Sequence, residues 1–175
     1  MLVGNVLSGV TRLVKVLFVC TGNICRSPTA EGLMRAHLAR AGLDHLVEVD
    51  SAGTHGYHVG EPPDRRSVAA ARRRQVDIAG QRARQLTADD FTEFDIIAVM
   101  EQRQQQQLLA HCPAGLEHRV RLLMSFAQGG GPLEVPDPYY GDDGFDKVFD
   151  MIERGVLGLI EHLRQTSRVA AATHE

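Results

Sequence analysis

Cysteine is scarce in this chain. Only Cys20, Cys25 and Cys112 occur, and an odd number that small in 175 residues does not describe a secreted disulfide framework. Reduced thiols in the cytoplasm fit better. Long apolar runs are missing as well, since no uninterrupted stretch reaches the length of a transmembrane helix. The apolar start, residues 1–19, lacks the basic region and the small-residue cleavage pattern of a signal peptide. An excess of charge of one sign is absent too: the formal net charge of −3 gives no global reason to expect a nucleic acid or an anionic membrane as partner. No internal repeat or linker divides the sequence. None of the histidines has a partner spacing that suggests a metal, and adjacent His111 and Cys112 cannot both readily face one ion. What remains is one domain's worth of ordinary globular mixture, 43% hydrophobic and 23% charged. The expected division is a flexible extension over 1–13, one domain over 14–164 and a flexible tail over 165–175.

Strand and helix patterns alternate along that domain. Val16 to Val19 is a short continuous apolar run, as in a strand buried on both faces. Pro28 sits where a first helical turn would begin, Glu31 favours that end of the macrodipole, and Gly42 is a plausible stop. Val47 to Ala52 reads as a second strand, Ser67 to Gln75 as a helix, and Leu86 to Phe91 as a short helix with Thr87 as its cap. Ile96 to Val99 gives a third strand, Glu101 to Ala110 a helix with a glutamine run, and Val120 to Leu123 a fourth strand. A long loop over 127–142 precedes a strongly amphipathic helix from Phe145 to Leu163. The arginines at 65, 66 and 72–74 read most simply as a solvated helix face. This alternation predicts a three-layer α/β fold, a four-stranded parallel sheet with helices on both faces and ligands bound outside the carboxyl ends of its strands.

One loop stands at such an end. Cys20-Thr21-Gly22-Asn23-Ile24-Cys25-Arg26 joins the first strand to a helix start. A short loop in this setting can turn successive backbone N–H groups inward as an anion cradle, with Gly22 supplying backbone freedom. Arg26 would close the ring with a planar fork that matches two phosphoryl oxygens. Converging dipoles and a guanidinium favour thiolate over thiol, and comparable sites lower a cysteine pKa to roughly 3.5–7.5. Cys20 could then attack phosphorus in line, with no metal needed to stabilise the charge. The blander reading, a small buried hydrophobe at a strand end, stays open for an isolated cysteine.

Hydrolysis of a phosphate ester also requires a proton for the departing oxygen. The best supplier lies in the long loop, at Asp137-Pro138-Tyr139-Tyr140-Gly141. Pro138 biases Asp137 toward extended backbone and so can hold its carboxyl away from the loop, while the tyrosines could wall a slot for an aromatic ring. An ordinary polar turn explains the same residues when they are read alone.

Together the two motifs resemble the low-molecular-weight protein-tyrosine phosphatases, as do Asp50-Ser51-Ala52-Gly53, Ala83-Arg84-Gln85, Asp90-Phe91 and Phe94-Asp95. The resemblance covers roughly residues 15–163. It implies Cys20 as nucleophile, Arg26 as phosphate clamp and Asp137 as general acid. It further implies Asn23, Ser27 and Ser51 as polar supports of the loop, and Tyr57 as an aromatic of the substrate mouth opposite Tyr139 and Tyr140. Cys25 resembles a second loop cysteine that can form a reversible disulfide with Cys20, although a small side chain that fits the loop is an equal reading. The family's histidine is replaced by Gln81 and its usual aspartate by Glu101.

The implied substrates are phosphotyrosine proteins, a tyrosine kinase among them, or small aryl phosphates. Inorganic phosphate would bind in the loop, with no cofactor or metal, and the chain is expected to be a cytoplasmic monomer. Three rivals are weighed against this. An arsenate reductase of the same fold needs a further cysteine pair, which Cys112 alone cannot supply. A phosphate-binding module without catalysis would not need Asp137, and a zinc site on Cys20 and Cys25 lacks its other ligands.

Overall fold

The first strand is apolar on both faces, and it therefore has to lie inside the sheet with helices above and below. In the computed structural model, which describes residues 12–141 and 144–166, β1 (Val14–Cys20) takes that place. It pairs in parallel with β2 (Val47–Gly53) on one side and β3 (Ile96–Val99) on the other, and β3 pairs with β4 (Val120–Leu122). The strand order is β2-β1-β3-β4, all parallel. Alternation splits β1 between two cores: Val16, Phe18 and Cys20 enter one, Leu17 and Val19 the other. The first core is covered by α1 (Arg26–Arg40), α2 (Arg65–Arg73) and α5 (Phe145–Thr166), the second by α3 (Asp90–Glu93) and α4 (Gln102–Leu109). The expected three-layer architecture is the one found.

The chain leaves β1 toward β2 and comes back to β3 on β1's other side, so strand order reverses between the carboxyl ends of β1 and β3. That crevice is where ligands of open parallel sheets bind. The eight apolar positions of α5 expected to face inward, from Phe145 to Leu163, are all buried. At about 1.5–3 kcal/mol for each side chain removed from water, this helix is a principal source of the fold's stability.

Several boundaries move for local reasons. Helix α1 begins at Arg26, directly from the loop, and places Pro28 inside the first turn, where a missing N–H costs no hydrogen bond. Glu31 consequently lies beyond the first turn. Helix α2 begins at Arg65 because Asp64 caps it, accepting the Arg66 N–H at 2.8 Å, and it ends before Gln75, whose φ is +62°. The expected helix at 86–91 forms only over Asp90–Glu93. Asp90 is buried and accepts both the Thr87 N–H at 2.8 Å and the Arg84 guanidinium, so Thr87 precedes the helix while Leu86 donates to Gly53 O. The proposed extension and tail lie outside the described residues except at 12–13 and 165–166. There Arg12 pairs with Asp95 at 2.9 Å, and α5 continues to Thr166. Among the described residues no helix is long and apolar enough to cross a membrane.

Candidate active site

The loop from Cys20 to Arg26 occupies the crevice at the sheet's switch point. Its carbonyls are used from outside: Thr54 N donates to Cys20 O at 2.8 Å, His55 N to Thr21 O at 3.0 Å, Asp64 N to Ile24 O at 2.8 Å, and the Thr29 hydroxyl to Cys25 O at 2.7 Å. Gly53 makes room for Thr21 O, since a Cβ there would stand 2.7 Å from it. Asn23 takes a left-handed conformation, φ +57°, which asparagine tolerates better than most residues.

Asn23 is also the hub beneath the loop. Its Oδ1 accepts the Arg84 backbone N–H at 2.9 Å, which fixes the orientation of the amide. Both amide hydrogens are then directed to hydroxyls, Ser27 Oγ at 2.8 Å and Ser51 Oγ at 2.9 Å. Ser51 in turn donates to Glu31 Oε1 at 2.8 Å, so its hydrogen is used away from Asn23. Ser27, accepting from Asn23, keeps its own hydrogen, with Cys20 Sγ 3.0 Å away and Ala52 O at 3.4 Å as its acceptors in reach. Donor and acceptor roles are thereby set from Arg84 through Asn23 and Ser51 to Glu31, and the Ser27 hydroxyl stands beside the sulfur. Glu31, 7% exposed, ends this series; burial raises its pKa, partly offset by Ser51 and Arg35. Gln81 stands apart from the series and donates instead to Pro28 O at 3.0 Å.

Arg26 is 2% exposed. Its Nη1 pairs with Glu101 and donates to Val135 O at 3.0 Å, and its Nη2 lies 3.5 Å from Asp137 Oδ2. Nε is buried without a hydrogen-bond partner, so one donor of the guanidinium is unused within the protein. Burial works against the guanidinium charge, but the charges of Cys20, Glu101 and Asp137 outweigh it and raise the Arg26 pKa above its ordinary value. Asp137 differs from the expected picture. Its Oδ1 accepts the Tyr139 N–H at 3.0 Å, so the carboxyl is bound to its own loop rather than held away from it. Short aspartate side chains form this local bond readily, and Pro138 does not prevent it.

A cleft of about 100 Å³ joins these groups. Cys20, Thr21, Gly22, Ile24, Cys25 and Arg26 form its floor, and Tyr57, Asp137, Tyr139 and Tyr140 its walls. Asn23, Ser27 and Ser51 lie beneath. Tyr57 is 73% exposed and stacks on His55, with ring centroids 5.0 Å apart, while Tyr139 and Tyr140 meet edge to face at 5.1 Å. Burial, with the negative charges of Asp64 and Cys20, pushes the Cys25 thiol up to about 12. Cys112 lies outside the cleft and donates to Pro113 O at 3.6 Å. Among the described residues no group of three or more histidine, cysteine, aspartate or glutamate side chains is placed to hold a metal.

Four contributors escaped the sequence reading. Glu101 backs Arg26. Gln104, from the glutamine run, is buried; it accepts from Met100 N and Glu101 N and donates to Thr21 Oγ1 at 3.2 Å. His58 lines the cleft beside Tyr57 and pairs with Glu61 at 2.7 Å. Asp64 joins α2 to the loop. Of these only Glu101 carried a signal, as a departure from the expected aspartate.

Fold and site define a class: an α/β protein with a cysteine and a buried arginine facing an aspartate across an anion-sized cleft at the switch point of a parallel sheet. A sequence model described as low molecular weight phosphotyrosine protein phosphatase matches residues 15–169. The low molecular weight protein-tyrosine-phosphatase of Streptomyces coelicolor is 42% identical over 162 residues, covering 90% of this chain and 98% of that one. A protein tyrosine phosphatase structure from Entamoeba histolytica, with Hepes in the active site, superposes with a TM-score of 0.83 at 36% identity, covering 87% and 97% of the two chains. A Bacillus subtilis structure gives 0.83 at 34% identity, with 90% and 98% covered. The chain belongs to the low molecular weight protein-tyrosine phosphatase family.

Proposed function

We propose that this chain hydrolyses phosphotyrosine and other aryl phosphates through a phosphocysteine intermediate. The observation that carries the reading is Arg26, a buried guanidinium with an unpartnered Nε, set in one cleft between Cys20 and Asp137. In the first step Cys20 Sγ attacks phosphorus, the bond from phosphorus to the aryl oxygen breaks, and Asp137 in its acid form protonates that oxygen. In the second, the Asp137 carboxylate takes a proton from water. The resulting nucleophile attacks phosphorus, the S–P bond breaks, and inorganic phosphate leaves with Cys20 restored. Arg26 and the loop N–H groups stabilise the equatorial oxygens in both steps, so no metal is required. Outward use of the loop carbonyls supports this cradle, and Hepes, a sulfonate, occupies the active site of the Entamoeba relative.

Tyr57, Tyr139 and Tyr140 give the cleft aromatic walls, which suits an aryl ester better than a short serine ester. Asn23, Ser27 and Ser51 act as supports by the hydrogen-bond series above. Cys25 serves as a redox partner: when a peroxide oxidises Cys20 to a sulfenic acid, the Cys25 thiol can condense with it, releasing water and leaving a disulfide. The same reading places one phosphatase domain at 14–164, working as a cytoplasmic monomer on phosphotyrosine proteins, a tyrosine kinase among the candidates.

The test is steady-state turnover of para-nitrophenyl phosphate and a phosphotyrosine peptide by the folded protein. Turnover should be competitively inhibited by vanadate and unchanged by EDTA. Cys20→Ser should abolish it while phosphate binding persists. Folded protein that shows no turnover of either substrate would sink the proposal.

A further inference from the structure

Arg66, which the sequence places in a solvated helix face, is engaged on every side. Asp64 holds it bidentately: Nε donates to Oδ1 at 3.1 Å and Nη2 to Oδ2 at 3.0 Å. Nη2 also donates to Tyr139 O at 3.0 Å and Nη1 to Gly141 O at 2.8 Å. The guanidinium lies 4.6 Å from the Phe145 ring centre and 5.6 Å from that of Tyr139. Asp64, through its own N–H, is bonded to Ile24 O of the phosphate loop at 2.8 Å. A continuous series of bonds thus runs from Ile24 through Asp64 and Arg66 to the Tyr139 peptide. The same Tyr139 supplies the N–H that holds Asp137 Oδ1 at 3.0 Å.

We propose that Arg66, held by Asp64, is a positioning residue that sets Asp137 at its working distance from the phosphate loop. This rests on the reading of Asp137 as general acid. The other oxygen of Asp137 faces Arg26 at 3.5 Å, an attraction that draws the carboxylate toward the phosphate clamp. Catalysis requires the acid to face the leaving oxygen instead, and a fixed Tyr139 N–H supplies the opposing hold. A guanidinium suits the task because its planar fork serves a carboxylate and two carbonyls at once, which an ammonium cannot do. Asp64 stays charged in this role: the hydrogen bond from the Arg66 side chain, against some opposing burial, keeps its pKa below the ordinary value.

The test is a leaving-group series. Aryl phosphates whose phenols range from weakly to strongly acidic are compared for wild type, Arg66→Met, Arg66→Lys and Asp137→Ala. Misplacing a catalytic group by about 1 Å can cost ~10²-fold. Both Arg66 variants should therefore lose roughly 10- to 100-fold in kcat/KM, which reports the first step and not the later use of Asp137 as base, on phosphotyrosine and other esters of weakly acidic phenols. On the most acidic leaving group they should lose less than about threefold, because no proton is then required. Inhibition by phosphate should be unchanged, which shows an intact loop and an intact fold. Arg66→Met in the Asp137→Ala background should add nothing, since the residue acts through the acid.

Asp64→Asn keeps an oxygen for the helix cap but breaks the ion pair, and should show the same leaving-group signature in weaker form. Equal loss across the series, additivity with Asp137→Ala, or a fully active Arg66→Lys would each overturn the brace while leaving the acid in place. An Asp137→Ala variant with no leaving-group dependence would overturn the general acid itself, and the brace with it.

Discussion

Cys20 and Cys25 share one loop and are set apart by their surroundings. Cys20 Sγ lies 3.0 Å from the Ser27 hydroxyl at the end of a directed series, and a thiolate there would accept its hydrogen. Hydrogen bonds to a charged group are worth about 1.5–3 kcal/mol, so Ser27→Ala should lower kcat by roughly 10- to 100-fold, with a parallel slowing of Cys20 alkylation by iodoacetate. Unchanged alkylation would break the link between this hydroxyl and the sulfur. Cys25 has a thiol raised from 9.0 to about 12 by burial and nearby negative charge. In the unfolded chain it loses its proton at the lower pH, so between those values the folded state binds more protons. The stability that the thiol form contributes is fully present below about pH 9 and declines as pH rises toward 12. Urea midpoints of Cys25→Ala should accordingly fall less steeply over that window than those of wild type, and equal slopes would remove the effect. Cys20, Arg26 and Asp137 were legible because each lies in a compact local pattern of strand end, helix start or Asp-Pro turn. Gln104 was not, and Glu101 showed only as a departure from the family's aspartate. Their roles depend on β3 lying beside β1, a tertiary fact that no local spacing records.

At the scale of elements, α5 shows what apolar periodicity can and cannot reveal. Its buried stripe was readable, residue by residue, from Phe145 to Leu163. Gly155 and Gly158 within it look like weak points of a helix, and the reason for them lies elsewhere in the chain. A Cβ on Gly158 would stand 1.9 Å from Phe126 O, where the 3-10 turn at Leu123–Ser125 ends against the helix. A Cβ on Gly155 would meet the Leu123 side chain at 2.7 Å. Two effects compete in Gly158→Ala. Helix propensity favours alanine by about 1 kcal/mol, whereas overpacking costs about 1–3 kcal/mol and a backbone atom cannot rotate aside. With a backbone atom in the way the cost falls at the upper end of its range, the clash wins, and the variant should lose about 1–2 kcal/mol in urea unfolding. Gly155→Ala should lose less, because Leu123 can change rotamer. A Gly158→Ala protein at least as stable as wild type would show that helix and turn can separate freely. The helix ends at Asp64 and Asp90 were misjudged for a related reason. Both carboxylates accept a nearby backbone N–H, of Arg66 and of Thr87, and each also holds a guanidinium, of Arg66 and of Arg84, so the turn begins where the carboxylate is engaged.

For the whole molecule, the order β2-β1-β3-β4 determines which chain segments can meet. Reversal of strand order opens a crevice between the ends of β1 and β3, and the loop after each strand enters it, one bringing Cys20 and Arg26, the other Glu101. The segment after β4 then crosses the same opening with Val135 and Asp137, both in reach of Arg26. An anion held there would bridge elements far apart in sequence, and its binding should stabilise the domain as a unit. At 100 times Kd a ligand specific for the folded state adds about 2.7 kcal/mol. For a domain of this size that corresponds to a rise of roughly 5–10 °C in Tm. Phosphate should produce such a rise in wild type and in Cys20→Ser, because the sulfur is not what holds that anion. Arg26→Lys retains a positive charge but loses the fork, leaving a point charge that must serve Glu101 and the anion together. Its own Tm should be lower for that reason, so the relevant quantity is the shift at equal ligand concentration, which should fall to less than half the wild-type value. A shift in Arg26→Lys as large as in wild type would place the anion elsewhere than on this guanidinium, and would separate binding from the crevice that the strand order creates.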